Sequence, residues 1–430
     1  MSRLTFARRG LVALAAAALG VTVITSPAVA DASSNQLYTP PPQPGAEQQI
    51  AQLVAAGQTA DAAAVRDMIN TPQAVWVTGG VPDEQTRHDV QETVTKATLK
   101  GQIPVLVLYN LPFRDCAQYS AGGATNGVQY ASFIRAVASG IGNRKAIVLL
   151  EPDSLGIIPW YQPLYGPMDW CKPTVEGTTN GLNKAGTAPA APARGANSND
   201  RFGLLKRAVA TLKAANPGNK VYLDGTHSAW LGVGEAADRL LKAGVQQADG
   251  FFLNVSNYET TANNTLFGTW ISDCIAFATN ATEGGWRLGH TDWCSSQYSG
   301  PGAGYSAGNI AAVNAWYAGN LGSAVPTTHF VIDTSRNGNG PWAPTASYPD
   351  PQVWCNAPTA GLGLKPTLNT GVPLVDAYLW VKIPGASDGQ CNRGIAGSTT
   401  DPEWGGIVDP AAGAWFPQMA LTLVHNAHEG

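Results

Sequence analysis

Charge is scarce in this 430-residue chain: 13% of residues are Asp, Glu, Lys or Arg, and the formal net charge is −4. Without a basic excess to track phosphates or an anionic bilayer, neither nucleic acid nor a membrane surface is an expected partner. The six cysteines include no Cys-x-x-Cys pair, which argues against a zinc site. No metal or organic cofactor is implied. Beyond the first thirty residues, no apolar run is long enough to cross a bilayer. Internal repeats are also missing.

The first thirty residues read as a secretory signal peptide. Arg3, Arg8 and Arg9 open it, Gly10 to Ile24 are mostly small and apolar, and Ala28-Val29-Ala30 precedes a cut before Asp31. Arg8-Arg9 also suits a twin-arginine signal, and the residues do not separate the two export routes. A secreted, extracellular protein is expected. Six cysteines in an exported chain read as three disulfides: Cys116, Cys171, Cys274, Cys294, Cys355 and Cys391. They allow about 15 pairings, of which nearest-neighbour pairing is the simplest. Gly (48), Pro (30) and Trp (13) are abundant. A weakly charged, loop-rich and Trp-rich surface suits a neutral ligand with flat apolar faces. Sugars fit, because their C–H faces stack on aromatic rings while their hydroxyls seek hydrogen bonds. Trp is also a common core residue.

Residues 31–46 read as a short Pro-rich leader, with order beginning near Glu47 and 47–430 forming one catalytic domain. Short apolar runs follow: Ile103–Tyr109, Ala146–Leu150, Val221–Leu223, Phe251–Val255, His329–Ile332 and Ala377–Val381. Continuous apolar runs suit strands buried on both faces of a parallel sheet. Helical patterns lie between them, most clearly over Gln129–Ser139, Arg201–Ala215 and Glu235–Ala243. Strand–helix alternation gives an α/β class, and this many strands suggests a barrel. Lys172–Asn199 has no periodicity and reads as a surface insertion.

Four runs end in, or shortly before, an acid. Leu108-Tyr109 leads to Asp115, Leu149-Leu150 to Asp153, Tyr222-Leu223 directly to Asp224, and Trp380-Val381 to Asp388. In parallel barrels the C-terminal strand ends form the active face, so these acids should converge on one cleft. Glycoside hydrolysis needs such a set: one carboxylic acid protonates the leaving oxygen, and a second carboxylate activates the nucleophile directly or through water. Neighbouring carboxylates also raise one another's pKa, keeping the acid protonated near neutral pH. Any one of these acids alone reads more simply as a helix cap or turn residue. Asp333 ends another run, but Arg336 is near enough in sequence to pair with it, so it is taken as structural.

The segments holding these acids resemble glycoside hydrolase family 6, the cellobiohydrolases and endoglucanases. The matching blocks are Tyr109-Asn110-Leu111-Pro112-Phe113-Arg114-Asp115-Cys116, Leu150-Glu151-Pro152-Asp153-Ser154-Leu155, and Tyr222-Leu223-Asp224-Gly225-Thr226-His227 with Trp230. Asn254–Tyr258 and Trp380-Val381-Lys382 through Asp388-Gly389 complete the set, in family order over about residues 70–425. The resemblance implies a distorted parallel barrel of about seven strands and an inverting β-1,4-glucanase. Asp153 matches the proton donor. Asp115 matches the partner that raises the donor's pKa and influences the water. The base stays divided between Asp115 and Asp388, and Asp224 matches a structural or substrate-orienting acid. Tyr109 would press on the sugar at the cleavage point, and Arg114 would hold Asp115 ionised. His227, Asn257 and Lys382 would bind sugar hydroxyls, and Trp76, Trp230 and Trp354 would be stacking platforms. Without the resemblance, Trp76 and Trp354 read as core residues and His227 as a satisfied core histidine. The family's usual disulfides match Cys116–Cys171 and Cys355–Cys391, leaving Cys274–Cys294 as an extra pair.

Some features depart from the pattern. Ala386 stands where the family often has a sugar-binding Glu, and Gly-Thr-His follows Asp224 where Ala-Gly-His is common. The short Gly-rich loop Cys116–Gly127 resembles the endoglucanase form, whereas the second loop, Gly389–Gly413, is longer. An endoglucanase is the first expectation and a cellobiohydrolase the second. A non-catalytic β-glucan-binding protein and a hydrolase of another β-glycan are the further alternatives. With no carbohydrate-binding module visible, soluble or amorphous glucan is the expected substrate, and a monomer is expected.

Overall fold

A computed structural model describes residues 36–117, 119–173, 197–300 and 304–428. The expected signal peptide and most of the Lys172–Asn199 insertion lie outside the described residues. Seven parallel strands form one sheet in sequential order: β1 (Val75–Val77), β2 (Val105–Leu108), β3 (Ile147–Leu150), β4 (Lys220–Asp224), β5 (Gly250–Leu253), β6 (His329–Asp333) and β7 (Val375–Leu379). The sheet curls into a barrel-like arc. Its outer strands β1 and β7 do not pair as strands, yet the Ala74 N–H donates to the Trp380 carbonyl at 2.9 Å and the Trp76 indole N–H to the Val381 carbonyl at 2.9 Å. The expectation of a distorted parallel α/β barrel of seven strands therefore holds.

The apolar runs are continuous because both strand faces are buried. Leu106, Leu108, Val148, Leu150, Leu223 and Ile332 face the helical layer. Val107, Leu149, Tyr222, Phe252, Val331 and Leu379 fill the barrel interior. Truncating one such Leu to Ala costs about 2–5 kcal/mol. The helices among the described residues are α1 (Ala46–Ala55), α2 (Thr59–Asn70), α3 (Asp83–Leu99), α4 (Gly127–Ile141), α5 (Ser198–Ala215), α6 (Val233–Ala243), α7 (Thr261–Thr279), α8 (Ala307–Asn320) and α9 (Pro417–His425). The helical patterns read from sequence are α4, α5 and α6. Helix α4 starts where the Asn126 side chain accepts from the Val128 and Gln129 N–H groups, satisfying donors that have no partner within the helix. A second core joins α1, α2 and α9 through Ile50, Val65, Met68, Phe416, Met419 and Leu423.

The stretch read as a leader is anchored to the domain at Leu37, Tyr38 and Ala46, which are buried. Leu37 is buried in the barrel interior and bridges Ile103 in parallel. Further along, Gln43 lines the cleft described below and donates to the Gly413 carbonyl. Three disulfides are formed: Cys116–Cys171, Cys274–Cys294 and Cys355–Cys391.

Candidate active site

The C-terminal strand ends open into a cleft of about 720 Å³. Of the site residues expected from sequence, Trp76, Tyr109, Arg114, Asp115 and Asp153 line it from the β1–β3 side. His227, Trp230, Asn257, Trp354, Lys382 and Asp388 line it from the rest of the arc. Asp224 does not line the cleft. It is buried beneath, accepting from the Leu155 N–H at 3.2 Å and the Thr226 N–H at 2.9 Å. Trp76 and Trp354 are half-buried cleft walls rather than core residues. Trp76 stands edge-on to Tyr109, with centroids 5.4 Å apart.

Backbone strain concentrates here. Asp115, Cys116, Glu151, Asp153, Thr226, Asn254 and Ser256 all have positive φ, between 39° and 70°. Each such non-Gly residue costs roughly 1–3 kcal/mol and persists only where its surroundings hold it. Around Asp153 the holding groups are identifiable. Glu151 is buried and accepts from the Asn110 and Leu111 N–H groups at 2.8 and 2.9 Å. Arg201, reaching in from α5, donates to the carbonyls of Pro112, Ser154 and Ile157. Together they staple the β2 loop carrying Tyr109 and Asp115 to the β3 loop carrying Asp153. The Cys116–Cys171 bond secures the same loop from its other end.

The acids differ sharply in proton affinity. Burial pushes the Asp153 carboxyl well above the usual carboxylate range, with Asp224 and then Asp115 adding to the rise. No described residue hydrogen-bonds to that carboxyl. Burial raises Asp115 to about 6, against the opposing Ser120 N–H at 2.7 Å, Arg114 and Lys382. Burial likewise raises Asp224 to about 6 and Glu151 to about 7. Asp388 runs the other way. Burial works to raise it, but Arg336 and Lys382, each at 2.9 Å, outweigh burial and hold it at about 2. The Asn356 N–H (2.8 Å) and the Tyr258 hydroxyl (3.3 Å) also donate to it. His227 is lowered to about 4 by burial and is neutral at pH 7.

Several expectations are corrected. Arg114 forms no ion pair with Asp115. Its guanidinium donates to the carbonyls of Thr78, Tyr109, Ser120 and Ala121 and so shapes the loop, while its charge still favours the ionised form of Asp115 from a distance. Arg336 pairs with Asp388, not with Asp333. Asp333 is structural for a different reason: it accepts from the N–H groups of Ser256, Ser335, Val381 and Lys382, tying three strand ends together. Among the neighbours raising Asp153, Asp224 precedes Asp115. Lys382 donates to Asp388 and to the Ser387 carbonyl, leaving one of its three N–H groups for a ligand. Ala386 lines the cleft, so the missing carboxylate there is real.

Sequence reasoning passed over Tyr119 and Trp170, which also line the cleft, and Glu151 and Arg201 beneath it. An aromatic in a Gly-rich loop was the available signal for Tyr119. Its side chain packs on Gly389, where an added Cβ would meet the Tyr119 Cβ at 2.5 Å, and its hydroxyl contacts Gln352 and Asn392. This joins the two rim loops.

A parallel α/β arc with acids of contrasting proton affinity in an aromatic-lined cleft defines a class, that of barrel-fold glycoside hydrolases. Within it, the chain belongs to the glycosyl hydrolases family 6, whose model matches residues 32–427. It is 32% identical to endoglucanase A of Cellulomonas fimi over 85% of this chain and 57% of that protein. It is 31% identical to endoglucanase 1 of a Streptomyces species (strain KSM-9) over 74% of this chain and 64% of that protein. It thus spans less than two thirds of either relative. Among solved structures, it resembles the endoglucanase Cel6 of Mycobacterium tuberculosis in complex with methyl-cellobiosyl-4-deoxy-4-thio-β-D-cellobioside. The TM-score is 0.59 and the identity 31%, covering 91% of this chain and 97% of that one.

Proposed function

We propose that this chain is a secreted endo-β-1,4-glucanase that cuts internal glucosidic bonds with inversion. The observation that carries the reading is the Asp153 carboxyl: half-buried, raised by burial and by Asp224, free of hydrogen bonds from described residues, and open to the cleft. Protonated at neutral pH, Asp153 donates its proton to the departing glycosidic oxygen. Inversion then requires a water on the opposite face of the sugar and a carboxylate to take its proton. Asp115 suits that task better than Asp388. At about 6 it is ionised at neutral pH yet basic enough to accept a proton. Asp388, at about 2 and saturated by two cations, is a poor base and instead fixes Lys382. Asp224 is a positioning acid that keeps Asp153 protonated. Tyr109 and Trp76 press on the sugar at the cleavage point. His227, Asn257 and Lys382 meet hydroxyls, and Trp230 and Trp354 offer stacking faces. No cofactor takes part.

One observation favours a second reading, release of cellobiose from chain ends: Tyr119 bridges the two rim loops across Gly389. Carboxymethylcellulose separates the two. Endo action predicts a fast viscosity drop with few new reducing ends and α-anomeric products by NMR, all abolished by Asp153→Ala. Cellobiose release with little viscosity change selects the exo reading. Absence of hydrolysis on every β-glucan overturns both.

A further inference from the structure

Trp170 is 43% exposed and lines the cleft. No described residue stacks on it or hydrogen-bonds to its indole. Its backbone, by contrast, is pinned on both sides. Asp169 donates its N–H to the Tyr161 carbonyl at 2.8 Å and pairs with the buried Arg239 at 3.4 Å. Cys171 is bonded to Cys116, beside Asp115, and its carbonyl accepts from the Trp160 N–H at 2.9 Å. A rigid backbone that presents an unpartnered ring to a cleft is a preorganised binding surface, because little ordering entropy remains to be lost.

The ring's position follows from its neighbours. Ile157, Cys116 and Cys171 form a small apolar cluster against which Trp230 packs. Trp230 also lies over Gly156, where an added Cβ would meet its ring at 2.5 Å. Trp170, adjoining Cys171, therefore borders the same corner of the cleft as Trp230. A chain stacked on Trp230 would have Trp170 as a further ring in the same cleft. Both are flat apolar rings, and the repeating C–H faces of a β-linked glucan match such a succession of rings.

We propose that Trp170 forms an additional sugar-binding subsite beyond Trp230, holding a further glucosyl unit of a β-glucan chain. The proposal rests on the glucanase reading above and adds chain-length preference to it: longer chains gain contact that short ones do not reach. The test uses the full chain carrying Asp153→Asn, to allow binding without cleavage, titrated calorimetrically with cellotriose and with cellohexaose. Adding Trp170→Ala should weaken cellohexaose about five- to tenfold, the scale of one lost aromatic platform. The loss for cellotriose should be at least about threefold smaller on the same scale. Trp170→Phe should recover part of the cellohexaose affinity. Trp293→Ala, which removes another exposed ring (45%) that does not line the cleft, should have no effect. Unchanged cellohexaose affinity in Trp170→Ala, or equal losses on both ligands, overturns the subsite while leaving the glucanase reading intact. Failure of the Asp153→Asn protein itself to bind either oligosaccharide overturns the glucanase reading and the subsite with it.

Discussion

Asp153 and Asp388 follow strands of the same sheet and line the same cleft, yet the proton affinity of one is raised well above the usual carboxylate range and that of the other is lowered. Around Asp153 the neighbours are carboxylates, Asp224 and Asp115, which reinforce burial. Around Asp388 they are Arg336 and Lys382, which overcome it. Burial raises both acids, and the sign of the nearest charges decides whether that rise is reinforced or reversed. One wall of the cleft favours a protonated carboxyl and the other a carboxylate.

Removing the proton itself should have the largest effect. Asp153→Asn keeps the shape and loses the acid, and kcat on cellohexaose should fall by about 10²–10⁴. A loss below tenfold would mean that another group protonates the leaving oxygen. On the opposite wall, Arg336→Met leaves Asp388 with one cation. Breaking a buried pair in this way costs about 3–5 kcal/mol, read as a lower denaturant midpoint. An unchanged midpoint would show that Lys382 and Asn356 suffice to satisfy Asp388.

The staple beneath Asp153 gives a smaller effect. Glu151→Ala orphans the Asn110 and Leu111 N–H groups, at a cost of about 1–3 kcal/mol. Glu151→Gln retains an acceptor and should recover most of the stability. If the two variants behave alike, the charge of Glu151 matters rather than its hydrogen bonds.

The pH dependence of stability sharpens the contrast further. Asp388 has a depressed pKa, so its contribution, about 2 kcal/mol, is complete above about pH 4 and is lost as pH falls through about 2. Asp115 and Asp224 have raised values. Their contribution is present below about pH 4 and is lost as pH rises through about 6. Melting temperature followed from pH 2 to 8 should therefore rise and then decline. In Asp388→Asn the acid-side rise should shrink while the decline stays.

Much of this was legible in the chain. Six strands announced themselves because burial on both faces makes their sequences continuously apolar. Strand β1 did not: Val75–Val77 is three residues long and only half-buried, too short for any periodicity. The acids at strand ends were readable because strand direction fixes where side chains converge. Their partners were not, since partnership crosses the barrel. Arg336 is three residues from Asp333 but pairs with Asp388, 52 residues away, because the turn after β6 carries its guanidinium across to the β7 loop. Arg201 likewise lies on a helix and reaches loops some 45 to 90 residues earlier. For Trp170, proximity to a cysteine carried no message until the disulfide placed it at the cleft.

The central claim is that Asp115, not Asp388, takes the proton from water while Asp153 supplies one. The most direct test is kcat/KM on cellohexaose as a function of pH for the wild type, Asp115→Asn and Asp388→Asn. The wild type should give a bell whose acid limb is centred near pH 6, set by Asp115. Asp388→Asn should keep that limb at reduced amplitude, whereas Asp115→Asn should lose it. An acid limb that survives in Asp115→Asn and vanishes in Asp388→Asn would contradict the account.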